Sequence, residues 1–216
     1  MSCLRGLVMS AALEAIITKE RLGRYLTESG FDLDRALQLY AWNLKISAAF
    51  VPLLCAAEIS LRNIVMVRSS AVFGPVWWQS SAFLGLAGST AKGIVKSAEN
   101  KIVDRGIVPT TGRMTAELSF GFWENMLLPK YQPALWTPIH LHFPDLPTRV
   151  DRQTLYERCG NVRVLRNRIS HHEPIFRRNI SQDYADCVEF IGWLSSAKAA
   201  WITPHCNVMA LMRTKP

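Results

Sequence analysis

The sequence contains no C-x-x-C pair. Its five cysteines, Cys3, Cys55, Cys159, Cys187 and Cys206, stand far apart along 216 residues. That spacing speaks against a zinc knuckle, and an odd number in a chain this long speaks against a disulfide framework. The expectation is reduced thiols, mostly buried. There is no Gly-rich phosphate loop, no internal repeat and no low-complexity tract, so nothing points to a P-loop, a dinucleotide fold or a solenoid. Alternating apolar and polar runs with hairpin turns are also missing, which leaves little room for a sheet. Long hydrophobic stretches are few. The longest, Ala48 to Ala57, is interrupted by Pro52 and falls far short of the roughly 20 residues of a membrane helix. Arg5 and Glu14 break up the first segment, which does not read as a signal peptide. A soluble, cytoplasmic protein with no membrane partner is expected.

What is present is a packed globule with a basic balance. Hydrophobic residues make up 49% of the chain, charged residues 19%, and the formal net charge is +8. The composition suits a folded domain, and the charge favours an anionic partner, nucleic acid before acidic membrane. Helical periodicity dominates. Thr18 is placed to cap a short helix ending at Gly30. Asp32 is placed to cap a second, over 33–50, with Leu33, Leu37, Tyr40, Leu44 and Ala48 at helical spacing. Pro52 suits the start of a third helix, apolar on most sides and stopped by Gly74-Pro75. Ser89 caps a fourth that ends at Gly106, and Thr115 to Leu128 makes a fifth, rich in aromatics. A connection with Pro129, Pro133, Pro138, Pro144 and Pro147 follows, and its Trp136 and Phe143 suggest that it lies against the body. Thr148 opens a sixth helix that runs to His172, before Pro174. Asn179 or Ser181 opens a seventh that reaches Trp201. The reading is all-α: an N-terminal arm over 1–16, one domain over 17–203, and a loosely held tail over 204–216.

Chemistry concentrates between Arg158 and Arg178, where six arginines and two adjacent histidines stand with one acid, Glu173. Histidine exchanges a proton near neutral pH, whereas arginine supplies a fixed positive fork for phosphate oxygens. On a helical wheel Leu155, Cys159, Val162, Leu165 and Ile169 form one apolar stripe. Asn167 and His171, four apart, share the opposite face. Arg166 lies near the edge of the stripe, about 140° round from His171, where it is also placed to pair with an acid such as Glu58. His172 lies near the other edge. Glu58, Arg62 and Asn63 make a second polar group on a mostly apolar helix; they read either as a structural network or as a shell supporting the histidines from behind. Trp42, Trp77, Trp78, Trp123 and Trp136 read as packing residues. His140 and His142 have metal-like spacing without a third ligand nearby, and neither metal nor cofactor is expected.

Arg166-Asn167 followed by His171 or His172 resembles the signature R-x(4–6)-H, with a polar residue after the arginine, of the HEPN superfamily. The similarity extends to the Abi-like (abortive infection) family. It is carried by KERLGRYL near the start, LYAWN at Leu39 to Asn43, AAEISLRN at Ala56 to Asn63, FGPVWW at Phe73 to Trp78 and ELSFGFWENML at Glu117 to Leu127. The resemblance implies a HEPN-like helical bundle with additional packed helices. It also implies a metal-independent endoribonuclease in which two protomers face their motifs across one cleft. Catalysis would fall to Arg166, Asn167 and His171, or His172 in its place, and RNA binding to Arg163, Arg168, Arg177 and Arg178. The expected partners are RNA, a second copy of the chain, and an antitoxin or regulatory protein. A non-catalytic RNA- or nucleotide-binding, or dimerising, module is the alternative.

Overall fold

The computed structural model describes residues 12, 13 and 16–216, so most of the expected N-terminal arm, with Cys3, lies outside the described residues. Among the described residues, eleven α-helices follow in chain order from Lys19 on, and there is no strand. The chain is all-α, as its periodicity predicts. Helix α1 (Lys19–Glu28) ends in a turn closed at Gly30, whose φ is 63°. Helix α2 (Leu33–Phe73) starts where Asp32 accepts a hydrogen bond from the Arg35 N–H at 3.0 Å, and stops at Gly74.

Helix α2 corrects the expectation of two helices divided at Pro52. It is one element of 41 residues with the proline inside. A proline there forfeits one backbone hydrogen bond and crowds the preceding turn, a cost of about 3 kcal/mol. Phe50, Leu53 and Leu54 flank it at 0–4% exposure, and burying each such side chain contributes about 1.5–3 kcal/mol. Burial therefore outweighs the local penalty. Buried residues run from Ala36 to Ser69, and α2 touches α1, α4, α5, α6, α8, α9, α10 and α11. By length and composition it would be long and apolar enough to cross a membrane; in this fold it is the axis on which the other helices pack.

Helix α3 (Ser81–Val103) begins earlier than expected, yet its backbone breaks at Gly88 (φ 75°, ψ 171°), just before the expected capping residue Ser89. The expected fifth helix is divided into α4 (Thr111–Glu117) and α5 (Phe120–Asn125). The division has a local cause. The Ser119 hydroxyl caps α5 by accepting from the Phe122 N–H, and the Leu118 carbonyl is taken by the Trp123 indole N–H at 3.3 Å. The proline-rich connection carries α6 (Gln132–Leu135) and α7 (Ile139–His142) and lies against the body, with Trp136 and Phe143 fully buried. The other tryptophans read as packing residues, Trp42, Trp77, Trp78 and Trp123, are buried too.

Helix α8 (Arg152–Ser170) is capped by Asp151, not opened at Thr148, because the Asp151 carboxylate accepts from the Thr154 N–H at 2.8 Å. Helix α9 (Ile180–Leu194) is capped by Asn179. The expected run to Trp201 breaks at extended Ser195, whose hydroxyl caps α10 (Ser196–Ile202). Helix α11 (Val208–Met212) corrects the expectation of a loose tail. Val208 is fully buried, the Trp42 indole N–H donates to the Leu211 carbonyl at 2.8 Å, and Lys215 donates to the Phe176 carbonyl at 3.0 Å.

Removing residues 207–216 should therefore destabilise the chain by about 2–4 kcal/mol: the burial of Val208 is lost and the Trp42 N–H is left without its acceptor. The measurement is the midpoint of urea unfolding against the full chain; an unchanged midpoint would mean that the tail is not docked.

Candidate functional site

The apolar stripe of α8 faces the core as its spacing predicts. Leu155, Cys159, Val162 and Leu165 are each at most 1% exposed, and Ile169 packs against the same core while partly exposed. Burial, reinforced by nearby Glu124, pushes the Cys159 thiol well above its ordinary range, so it is no nucleophile. With the stripe inward, Asn167 is half-buried, and His171 and His172 are exposed at the helix end.

That end comes two residues before the expected one and has a defined closure. The helix stops at Ser170 with His171 as its cap. The His172 N–H donates to the Ile169 carbonyl at 3.0 Å, and the Glu173 N–H to the Arg168 carbonyl at 2.8 Å. These nested bonds form a Schellman turn, whose left-handed position is usually glycine. Here it is His172, at φ 55°. A side chain in that conformation costs about 1–2 kcal/mol, so the surroundings must hold the turn. Arg21 of α1 donates to the His172 carbonyl at 2.7 Å. From α2, the Asn43 side-chain oxygen accepts from the Ile175 N–H at 2.8 Å and the Phe176 N–H at 3.2 Å. Asn43 is only 3% exposed. The histidine turn is thus held from two other helices.

Arg166 reaches Glu58 on α2, with Nε 3.4 Å from the carboxylate, and its Nη1 donates to the Asn167 side chain at 3.3 Å. This is the Glu58 pairing that the wheel position allows. Arg62, one turn further along α2, has a buried Nε without a hydrogen-bond partner among the described residues. Burial, and next the charge of Arg62, lower the Lys198 ammonium below its ordinary range. Asn63 is exposed. Arg166, Asn167 and Glu58 are therefore joined by direct contacts. Neither histidine ring is hydrogen-bonded to them among the described residues.

The four flanking arginines are all paired. Arg163 contacts the carboxylate of Glu124, which is 3% exposed. Burial raises the Glu124 carboxyl and Arg163 opposes the shift. Gly160 makes room for this pair, since a Cβ there would lie 3.2 Å from the Glu124 oxygen. Arg178 grips both oxygens of Asp183 at 2.6 and 2.7 Å. Arg168 and Arg177 pair with Glu173 at 3.6 Å and Glu28 at 2.8 Å, nearer the surface. Exposed pairs are worth about 0–1 kcal/mol, so Arg168 and Arg177 can turn to another anion at little cost. Arg163 and Arg178 cannot, because each would leave a buried carboxylate alone. Arg21, Asn43, Glu124 and Asp183 were not legible as site residues. The one signal was a polar Asn43 in an apolar helix. The His140 ring lies 3.2 Å from the Pro147 carbonyl, at hydrogen-bond distance, and among the described residues no group of three metal-ligating side chains occurs.

No family model, curated protein or solved structure matches this chain.

Replacing His172 by glycine should raise stability by about 0.5–1 kcal/mol. Relief of about 1–2 kcal/mol at the left-handed position exceeds the glycine entropy cost of about 0.5–1 kcal/mol. Thermal unfolding measures it, and a lower Tm would contradict the held turn. Asn43→Ala should cost about 2–4 kcal/mol, because two buried N–H groups lose their acceptor at about 1–3 kcal/mol each. Denaturant unfolding checks the loss, and hydrogen exchange should show Ile175 and Phe176 opening first.

Proposed function

We propose that this chain is a HEPN-type, metal-independent endoribonuclease of the Abi-like kind, acting in the cytoplasm as an abortive-infection or toxin-like effector. The observation that carries the reading is the end of α8. Two exposed histidines sit there on a turn held by Arg21 and Asn43, on the same helix as an arginine anchored to Glu58 and Asn167. A strained, externally held turn bearing titratable side chains is a common way to fix reactive groups.

The chemistry needs little. An imidazole, of His171 or of His172, takes the proton from an RNA 2′-OH. The 2′ oxygen forms a bond to the adjacent phosphorus, the bond from phosphorus to the 5′ oxygen breaks, and that oxygen leaves with a proton. The products are a 2′,3′-cyclic phosphate and a 5′-OH end. Arg166 has Nη2 uncommitted among the described residues, and it supplies charge to the pentavalent transition state. Asn167 orients the arginine. Glu58 supports it from α2, and Arg62 and Asn63 line the same helix behind it. Arg168 and Arg177 hold the RNA backbone by exchanging their surface carboxylates for phosphate. DNA, lacking the 2′-OH, is not a substrate. A second copy of the chain completes the cleft, and an antitoxin or regulatory protein restrains it.

One observation favours a second reading, a non-catalytic RNA- or nucleotide-binding, regulatory or dimerising module. Arg163, Arg168, Arg177 and Arg178 are already paired with carboxylates, which lowers the positive field that the net charge suggests.

Incubation with single-stranded RNA in EDTA should give cyclic-phosphate ends, with no cleavage of the matching DNA. His171→Ala and Arg166→Ala should each lower the rate by about 10²–10⁴-fold. Expression of the wild type should slow growth, and His171→Ala should relieve it. Folded protein that cuts no RNA, or cuts equally well in both variants, would transfer the weight to the binding-module reading.

A further inference from the structure

Helix α10 packs on α2 and carries an exposed tryptophan. Trp201 is 62% exposed, whereas the other six tryptophans are at most 6% exposed. The ring of His205, also exposed, lies 5.7 Å from the indole. Lys198 stands three positions before Trp201, so both side chains leave the same face of α10. A lone exposed aromatic needs no explanation. Its cationic neighbours do.

Arg62 of α2 is half-buried, its Nε is buried, and none of its side-chain N–H groups is hydrogen-bonded or ion-paired among the described residues. Lys198 is half-buried as well, and its ammonium makes no ion pair there. Burial, and next the charge of Arg62, hold that ammonium below its ordinary range, so the two cations lie within each other's field where α10 packs on α2. Nearby acids are already engaged. Glu58, one turn before Arg62, is gripped by Arg166, and the Asp145 carboxylate accepts from the Ser196 N–H at 2.8 Å. A half-buried guanidinium without a partner, beside a second cation, is a costly arrangement that an anion between them would relieve.

We propose that Trp201, Lys198 and Arg62 form a subsite for one nucleotide unit of a single-stranded nucleic acid. The base stacks on the exposed Trp201 indole, and the adjoining phosphate lies between the Lys198 ammonium and the Arg62 guanidinium. A flat π surface beside two unpaired cations matches a base joined to a phosphate, and neither half of that ligand alone accounts for both features. Stacking tolerates any base, so the subsite holds a strand without reading its sequence. Arg62 lies about 6 Å along α2 from Glu58, the residue that Arg166 grips, so the subsite adjoins the candidate site. That the strand is RNA rests on the nuclease reading; the stack and the phosphate contact do not.

Fluorescence anisotropy of the full chain with a labelled 2′-O-methyl oligoadenylate, which 2′-OH attack cannot cut, tests the subsite. The wild type should bind it, and binding should quench the tryptophan fluorescence, because Trp201 is the exposed indole. Trp201→Ala should weaken binding about 5–150-fold and abolish the quench, while Trp201→Phe keeps most of the affinity. Lys198→Ala and Arg62→Gln should each weaken it about tenfold, and Lys198→Ala should lower the slope of log affinity against log salt by about 0.7. Trp201→Ala should keep the wild-type unfolding temperature, so a loss of affinity there is not a loss of fold. The subsite is overturned if the oligonucleotide does not bind, or if either Trp201→Ala or Lys198→Ala binds it as the wild type does; cleavage of unmodified RNA by that protein would leave the nuclease reading standing. Sensitivity to both substitutions in a protein that cuts no RNA would keep the subsite and remove the nuclease. Equal binding of the matching DNA would keep it too, as a platform for either strand.

Discussion

Burial of one side of α2, from Ala36 to Ser69, is the constraint from which the rest of the structure follows. Eight other helices pack on this 41-residue, mostly apolar helix, while Leu44, Val51, Ile59 and Val67 on its other side stay exposed. This burial carries the helix through Pro52 despite the local penalty. It also fixes where polar groups of α2 can be used. Asn43 meets backbone N–H groups of the segment after the histidines, and Glu58 meets Arg166.

The candidate site is organised by polar contacts that reach across the chain, not by its own helix. Helix α8 supplies the stripe that seats it and the turn that ends it. Arg21 and Asn43 lie well over a hundred positions earlier, and they hold the turn in a conformation that His172 would not choose alone. A turn held in this way keeps two exposed imidazoles in one place while their rings stay open to a ligand. The proposed nuclease chemistry needs that combination of fixed backbone and free side chain.

Charge in this chain is distributed by burial. The surplus of +8 suggests a broad cationic face, yet the arginines round the histidines are matched to carboxylates. Arg163 and Arg178 are bound to nearly buried acids and serve the fold. Arg168 and Arg177 lie nearer water, where an ion pair is weak enough to be exchanged.

Local pattern alone determined the all-α class, the inward stripe of α8 and the buried tryptophans, because a 3.6-residue period leaves an apolar side no other place to go. The possible partnership of Arg166 with Glu58 was legible too, since one lies at the edge of a buried stripe and the other is an acid on an apolar helix. Tertiary structure decided the rest. Pro52 reads as a boundary until the packing around it is counted. The helix formed by Thr115 to Leu128 is continuous until Ser119 finds a cap and Leu118 an indole. The tail reads as loose until Trp42 needs its carbonyl. The left-handed conformation of His172, the clamps from Arg21 and Asn43, and the pairing of the four arginines all depend on contacts between distant segments, which no local periodicity encodes.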